Sequence, residues 1–147
     1  MSESTLRPLT PANWEECINL RVGDDQQNFV APNLYSIAEA RIYPECVVLA
    51  IYAGETMVGF LMYALSKEDG RYWLIRFMID QHYQGRGYGK AALRQLVDEM
   101  RRLPGCERIY LSYVPENTGA EALYTSFGFR PTGEIIEGEK VSCLELT

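Results

Sequence analysis

A chain of 147 residues is the usual size of one domain, and its content of 47% apolar and 23% charged residues excludes a disordered or fibrous protein. Fourteen basic against twenty acidic residues give a net charge of −6, which disfavours a duplex-binding surface and suits a cationic small molecule better. The scattered Cys17, Cys46, Cys106 and Cys143 and the single His82 offer no metal-ligand spacing, and no apolar run approaches the roughly 20 residues of a bilayer span.

In chain order, a short strand near Leu6 precedes a helix from about Pro11 to Arg21. Thr10 is its hydroxyl cap, Pro11 its first residue, and Trp14, Cys17, Ile18 and Val22 fall at helical spacing. A polar, turn-rich stretch runs from Gly23 to Asn33. Ser36 and Glu39 then read as a capping box for a second helix, stopped by Pro44. Cys46 to Ala53 and Thr56 to Leu65 form a hairpin turning at Gly54 and Glu55, and Tyr72 to Ile79 adds a third strand. Gly59, inside a strand, marks a bulge or a close approach.

After Gly89, the positions Ala92, Leu93, Leu96, Val97 and Met100 define the buried face of a long helix that ends at Pro104 and Gly105. A strand from Ile109 to Val114 follows. A helix from Asn117 to Phe127 is closed by Gly128, and two strands, Phe129 to Ile136 and Val141 to Leu146, complete the chain. No repeat or linker interrupts this order. It predicts a single domain over 1–147 of the mixed α/β (α+β) class, with helices packed on a mixed sheet. Met1, Ser2, Glu3 and Ser4 contain no apolar leader, so the cytoplasm and reduced thiols are expected.

The residues Gln84, Gly85, Arg86, Gly87, Tyr88 and Gly89 join a strand to a helix. Three glycines in five positions let the backbone approach a ligand, and the unpartnered amides of a helix start favour a phosphate. Arg86 and Lys90 can add charge. The spacing is neither the dinucleotide G-x-G-x-x-G nor the G-x-x-x-x-G-K-S/T loop, and on its own it is equally compatible with a tight turn that only packs.

Gln84, Gly87 and Gly89 match the Q/R-x-x-G-x-G/A signature, and this stretch resembles the acyl-CoA loop of the GNAT superfamily of N-acetyltransferases. A second motif agrees: Asn117, then Ala120, Tyr124, Gly128 and Phe129 at the superfamily's spacing. The resemblance is tight over Tyr72 to Arg130 and follows the whole chain in element order. It implies a twisted mixed sheet of about six to seven strands, four helices on its two faces and splayed central strands. It also implies acetyl-CoA as cofactor, held by the backbone of Met78 and Ile79, by Gln84 to Lys90 and by Asn117. Tyr124 would protonate the departing thiolate, which suits a phenol of ordinary pKa about 10. Relatives of this kind often form homodimers.

For the acceptor, Asn28 to Ala40 and the run from Arg76 to Gly85 resemble bacterial spermine and spermidine acetyltransferases. Asp24, Asp25, Tyr35, Glu39 and Arg76 are the candidate acceptor residues, the carboxylates pairing with ammonium groups. One departure stands out. Polyamine enzymes of the superfamily often carry a glutamate in the strand before the loop, whereas Trp73, Leu74, Ile75 and Arg76 include no carboxylate. Glu39, Glu116 and Asp80 are the available substitutes as base. Three readings stay open: polyamine acetylation, acetylation of another small amine or a peptide amine, and a noncatalytic acyl-CoA sensor.

Overall fold

The computed structural model describes residues 4–27 and 29–146. Met1, Ser2 and Glu3 of the leader reading and Asn28 of the acceptor segment lie outside the described residues. Among the described residues seven strands form one sheet: β1 Thr5–Pro8, β2 Cys46–Ala53, β3 Thr56–Leu65, β4 Tyr72–Ile79, β5 Arg108–Tyr113, β6 Arg130–Ile136 and β7 Glu139–Glu145. Their order is β1-β2-β3-β4-β5-β7-β6. All neighbours run antiparallel except β4 and β5. The helices among the described residues are α1 Trp14–Ile18, α2 Asn33–Ile42, α3 Tyr88–Met100 and α4 Thr118–Phe127.

The two faces of the sheet bury separate cores, as strand alternation requires. On one face Leu61 and Tyr63 of β3 pack with Leu93, Leu96 and Met100 of α3 and with Tyr124 of α4. On the other, Phe60 and Met62 meet Cys17 of α1 together with Ile37 and Ala40 of α2. The hairpin and meander strands match their predicted bounds.

Two helix starts differ from expectation. The α1 helix begins at Trp14, because Thr10 and Asn13 close a turn ahead of it: Thr10 N–H donates to Asn13 Oδ1 at 2.7 Å, and Thr10 Oγ1 accepts from Ala12 N–H at 3.1 Å. It also ends early, at Ile18 rather than Arg21. Beyond it the chain turns at Asn19 and is then fastened to the end of β4, with Arg21 N–H donating to Asp80 Oδ1 at 2.8 Å and Arg21 O accepting from Gln81 N–H at 2.7 Å. In α2 the capping box does not form. The helix starts at Asn33, whose amide donates to Cys17 O at 2.8 Å, and Ser36 becomes an interior residue with a buried hydroxyl that finds no partner. Glu39 is then free to reach β4.

Two features place the end of β4, where the site lies. Between β2 and β3 the register slips beside Gly59, and a Cβ there would collide with the Met78 carbonyl oxygen and stand 3.0 Å from Ile79 Cδ1. The bulge and the close approach are thus one device: glycine lets β3 lie tight against β4. The second is Asp80, 5% exposed, which accepts from Arg21 N–H, from His82 N–H at 3.1 Å and from the His82 ring at 3.0 Å. Burial pushes its pKa up, but these hydrogen bonds outweigh burial and hold it below the ordinary aspartate range.

Gly59→Ala is expected to destabilise the fold by about 1–3 kcal/mol, since the new methyl meets backbone that cannot swing aside; a urea unfolding midpoint equal to wild type would contradict this. Asp80→Asn should cost a similar amount, about 1–3 kcal/mol, at neutral pH. A folded pKa below the unfolded value gives stability that is complete above the unfolded pKa and lost as pH falls through the folded one. Wild type should therefore lose its advantage over Asp80→Asn as pH falls below the ordinary aspartate pKa of 3.8, and a difference that stays constant on acidification until both proteins unfold would exclude the assigned role.

Candidate functional site

The β4 and β5 strands pair at one position only, Trp73 with Tyr110. Past that point they diverge, and a cavity of about 380 Å³ opens beside Phe77, Met78 and Ile79. Asp80 N–H donates to Val58 O on β3, and the Met78 carbonyl sits against Gly59 on the same side. By strand alternation the main-chain groups of Phe77 and Ile79 therefore face the opening, while those of Met78 serve the sheet. Of the two β4 residues expected at the site, Ile79 presents backbone there. Met78 lines the cavity but is 6% exposed and packed in the α1 and α2 core.

The glycine loop closes one end of this cavity. Gly85 and Gly87 have φ of 78° and 85°, a left-handed conformation that costs other residues about 1–2 kcal/mol. Gly87 is the residue before α3, and the first helical amide to reach an acceptor is Ala91, bonded to Gly87 O at 3.2 Å. The N–H groups of Tyr88, Gly89 and Lys90 precede that first bond, at the positive end of the helix. A Cβ at Gly85 would meet nothing within 4 Å, so the loop is open to a ligand there. Gly89 differs: a Cβ would come within 3.4 Å of Leu123, so this glycine sets how closely α3 packs on α4.

Gln84 ties the loop down, its amide donating to Ile79 O and to Gln26 Oε1, both at 2.9 Å. The Arg86 guanidinium lies 5.7 Å from the Tyr83 ring centroid, and Lys90 lines the cavity. This set suits a diphosphate: open backbone, helix amides and two cationic side chains.

The α4 helix forms the facing wall. Asn117 is its cap, with Oδ1 accepting from Ala120 N–H at 3.2 Å, and Gly128 ends it with φ 121°. Tyr124 is 9% exposed, its ring centroid 5.7 Å from Phe129, 6.0 Å from Tyr113 and 6.5 Å from Phe77. Burial, with a smaller contribution from Tyr113, pushes its hydroxyl pKa well above the ordinary phenol value. A group so placed holds its proton throughout the neutral range.

A second cavity of about 480 Å³ shares Phe77, Asn117, Ala120 and Tyr124 with the first. Tyr124 therefore stands on a wall common to both. Of the acceptor candidates, only Arg76 lines this second cavity, and its guanidinium is paired with Glu39 Oε1 at 3.2 Å. Arg76 Nε is buried without a partner. Asp24 and Asp25 lie exposed in a short 3-10 turn, and Tyr35 is 60% exposed on α2; none of the three lines either cavity. Among the candidate bases, Asp80 is engaged by Arg21 and His82 and Glu39 by Arg76, while Glu116 is exposed.

Two residues of the second cavity, Ser112 and Glu139, went unnamed in the sequence. Ser112 Oγ donates to Glu139 Oε1 at 2.7 Å. No local pattern singles out a glutamate after a turn, and only the β5–β7 pairing brings it to the cleft. The four cysteines are unpaired and line neither cavity; burial raises all four thiol pKa values, that of Cys17 to about 12. Among the described residues no group of three or more His, Cys, Asp or Glu could hold a metal, and no helix is long and apolar enough to cross a membrane.

Residues 14–129 match the sequence profile of the Acetyltransferase (GNAT) family. The chain is 36% identical to a probable spermine N(1)-acetyltransferase of Bacillus subtilis subsp. natto, over 96% of this chain and 97% of that protein. It is 35% identical to the spermine/spermidine N(1)-acetyltransferase of Bacillus subtilis strain 168, over the same shares. A crystal structure of spermidine N-acetyltransferase from Vibrio cholerae in complex with CoA and spermine superposes with a TM-score of 0.76 at 19% identity, covering 97% of this chain and 94% of that one. The PaiA N-acetyltransferase of Thermoplasma acidophilum in complex with coenzyme A gives 0.74 at 15% identity, covering 97% and 99%. With the splayed sheet, the left-handed glycine loop and a match over most of its length, the chain belongs to the GNAT family of acetyltransferases and is an acetyl-CoA-dependent N-acetyltransferase.

Proposed function

We propose that the acceptor is a polyamine of the spermine or spermidine kind and that its amine attacks the acetyl group directly. The observation that carries the acceptor is the near full-length similarity to two spermine acetyltransferases. The cleft supports the same reading, because its cation, Arg76, is already neutralised by Glu39 and an acceptor with positive charge meets no free positive group there.

Acetyl-CoA supplies the activated acyl group as a thioester. Gly85, Gly87 and the first amides of α3 would hold its diphosphate, with Arg86 and Lys90 adding charge and Gln84 keeping the loop in place. The main-chain donors of Phe77 and Ile79, on the splayed side of β4, face the region where negative charge would develop during transfer. The neutral amine forms the new C–N bond as the C–S bond breaks. Tyr124 donates its proton to the leaving sulfur and regains one through solvent from the proton the nitrogen sheds, a role its burial favours by keeping the hydroxyl neutral until the bond breaks. No cysteine takes part: each is away from the cleft, and raised thiol pKa values are the reverse of what a nucleophile needs.

A second reading, acetylation of an amino acid, drug or peptide amine, draws on the unpartnered Arg76 Nε, which could meet a carboxylate. A panel of spermine, spermidine, amino acids, an aminoglycoside and a peptide with a free amino terminus separates the two when thiol release from acetyl-CoA is followed. The polyamines should lead in kcat/KM by about tenfold or more, and a lead by any carboxylate-bearing amine would displace the polyamine reading.

The assigned roles predict opposite kinetic signatures. Tyr124→Phe should lower kcat by roughly 100-fold with little change in the KM for acetyl-CoA, as expected for loss of a proton donor. Gly87→Val, strained at φ 85° on the wall of the first cavity, should mainly raise the KM for acetyl-CoA. Exchange of these two patterns would show that both roles are wrongly placed.

A further inference from the structure

The second cavity contains a carboxylate that neither the fold nor the proposed proton transfer uses. Glu139 is the first residue of β7, directly after a tight turn in which Glu137 and Gly138 both have positive φ, 49° and 81°. That geometry is the hairpin turn whose twist matches the flanking strands, so the position of Glu139 is set by the backbone and not by a loose loop. Lys140, the next residue, pairs with Glu121 at 3.5 Å. Alternation puts Glu139 on the opposite side, into the cavity.

The carboxylate is also held at its tip. Ser112 pairs with Val141 across β5 and β7, which makes Glu139 its diagonal neighbour, and the 2.7 Å bond from Ser112 Oγ to Oε1 fixes the side chain. Ser112 precedes Tyr113, whose ring packs 6.0 Å from that of Tyr124, so the anchor is one residue from the wall that carries Tyr124.

Charge decides what such a group can bind. The other full charge lining the cavity, Arg76, is engaged by Glu39, and Glu139 forms no ion pair among the described residues. A half-buried carboxylate, steadied by a neutral hydroxyl and facing a cavity continuous with the wall of Tyr124, is satisfied by an ammonium donor.

We propose that Glu139 binds a protonated amine of the acceptor, with Ser112 as its positioning residue, and that this contact determines preference for polycationic amines. The inference rests on the polyamine reading above. Glu139 contributes affinity for the acceptor, while the acetyl-CoA loop and Tyr124 act independently of it.

The test is steady-state kinetics of Glu139→Gln and Ser112→Ala with spermine varied at saturating acetyl-CoA and then the reverse, joined to calorimetric titration of spermine onto the CoA-bound protein. Glu139→Gln should raise the spermine KM and its dissociation constant by about tenfold or more, the scale of a hydrogen bond to a charged group, and leave kcat and the acetyl-CoA KM within about twofold. Ser112→Ala should show a smaller rise in the same direction. Added salt should raise the wild-type spermine KM more steeply than that of Glu139→Gln, a difference that a purely structural role would not produce. An unchanged spermine KM in folded Glu139→Gln, or a shift confined to acetyl-CoA, overturns this inference and leaves the polyamine reading standing. Wild-type protein that turns over neither spermine nor spermidine removes that reading and this inference with it.

Discussion

The single pairing between β4 and β5, Trp73 with Tyr110, is the constraint on which the cleft depends. Every other neighbour in the sheet is antiparallel and joined at several positions, so the separation is local and not a loosening of the whole. The junction is reinforced where it exists: the two rings stand 5.5 Å apart and Arg71 lies 4.5 Å over Tyr110. Beyond it, unpaired main-chain groups would be costly if buried and useless if solvated. They are neither. Gln84 caps the Ile79 carbonyl, and the remaining groups border a cavity in which a ligand can complete the sheet's hydrogen bonding.

Holding two strands apart requires that each be held elsewhere. The β4 strand leans on β3, which can approach closely because Gly59 has no side chain against the Met78 carbonyl. The β5 strand is paired with β7 along its whole length. Asp80 then fastens the end of β4 to the segment after α1, so the wall that follows the cleft is tied to the other face of the molecule. The same residue, offered by the sequence as a base, is thereby consumed as a structural acceptor. Glu39 is consumed likewise, by Arg76.

What could be read in the sequence follows from how local its cause is. The hairpin, the third strand, the glycine loop and the helix bearing Tyr124 rest on short-range pattern, and the structure returns them nearly residue for residue. The start of α2 does not, because Asn33 spends its amide on Cys17 O, a residue far away in sequence, and Ser36 is then drawn inside. The second cavity was the least legible for the same reason. Asp24, Asp25 and Tyr35, expected from the resemblance, line neither cavity; the second cavity takes residues from β4, β5, α4 and β7, and Glu139 reaches it only through strand pairing that no local window contains.

On the proposed mechanism, the position of Tyr124 joins these threads. A donor to a leaving thiolate must keep its proton while the amine attacks and release it only as the carbon–sulfur bond breaks. A carboxylic acid in an open cleft would be ionised at neutral pH, and a thiol would itself compete as a nucleophile. A phenol packed among Phe77, Tyr113 and Phe129 avoids both, since burial penalises its anion and raises its pKa. Burial alone would also isolate it. It does not do so here, because the wall Tyr124 occupies borders both cavities, and that shared wall exists only where β4 has parted from β5. The strand separation thus sets the room for the donor, the access of the acceptor and the environment of the proton in one geometric step.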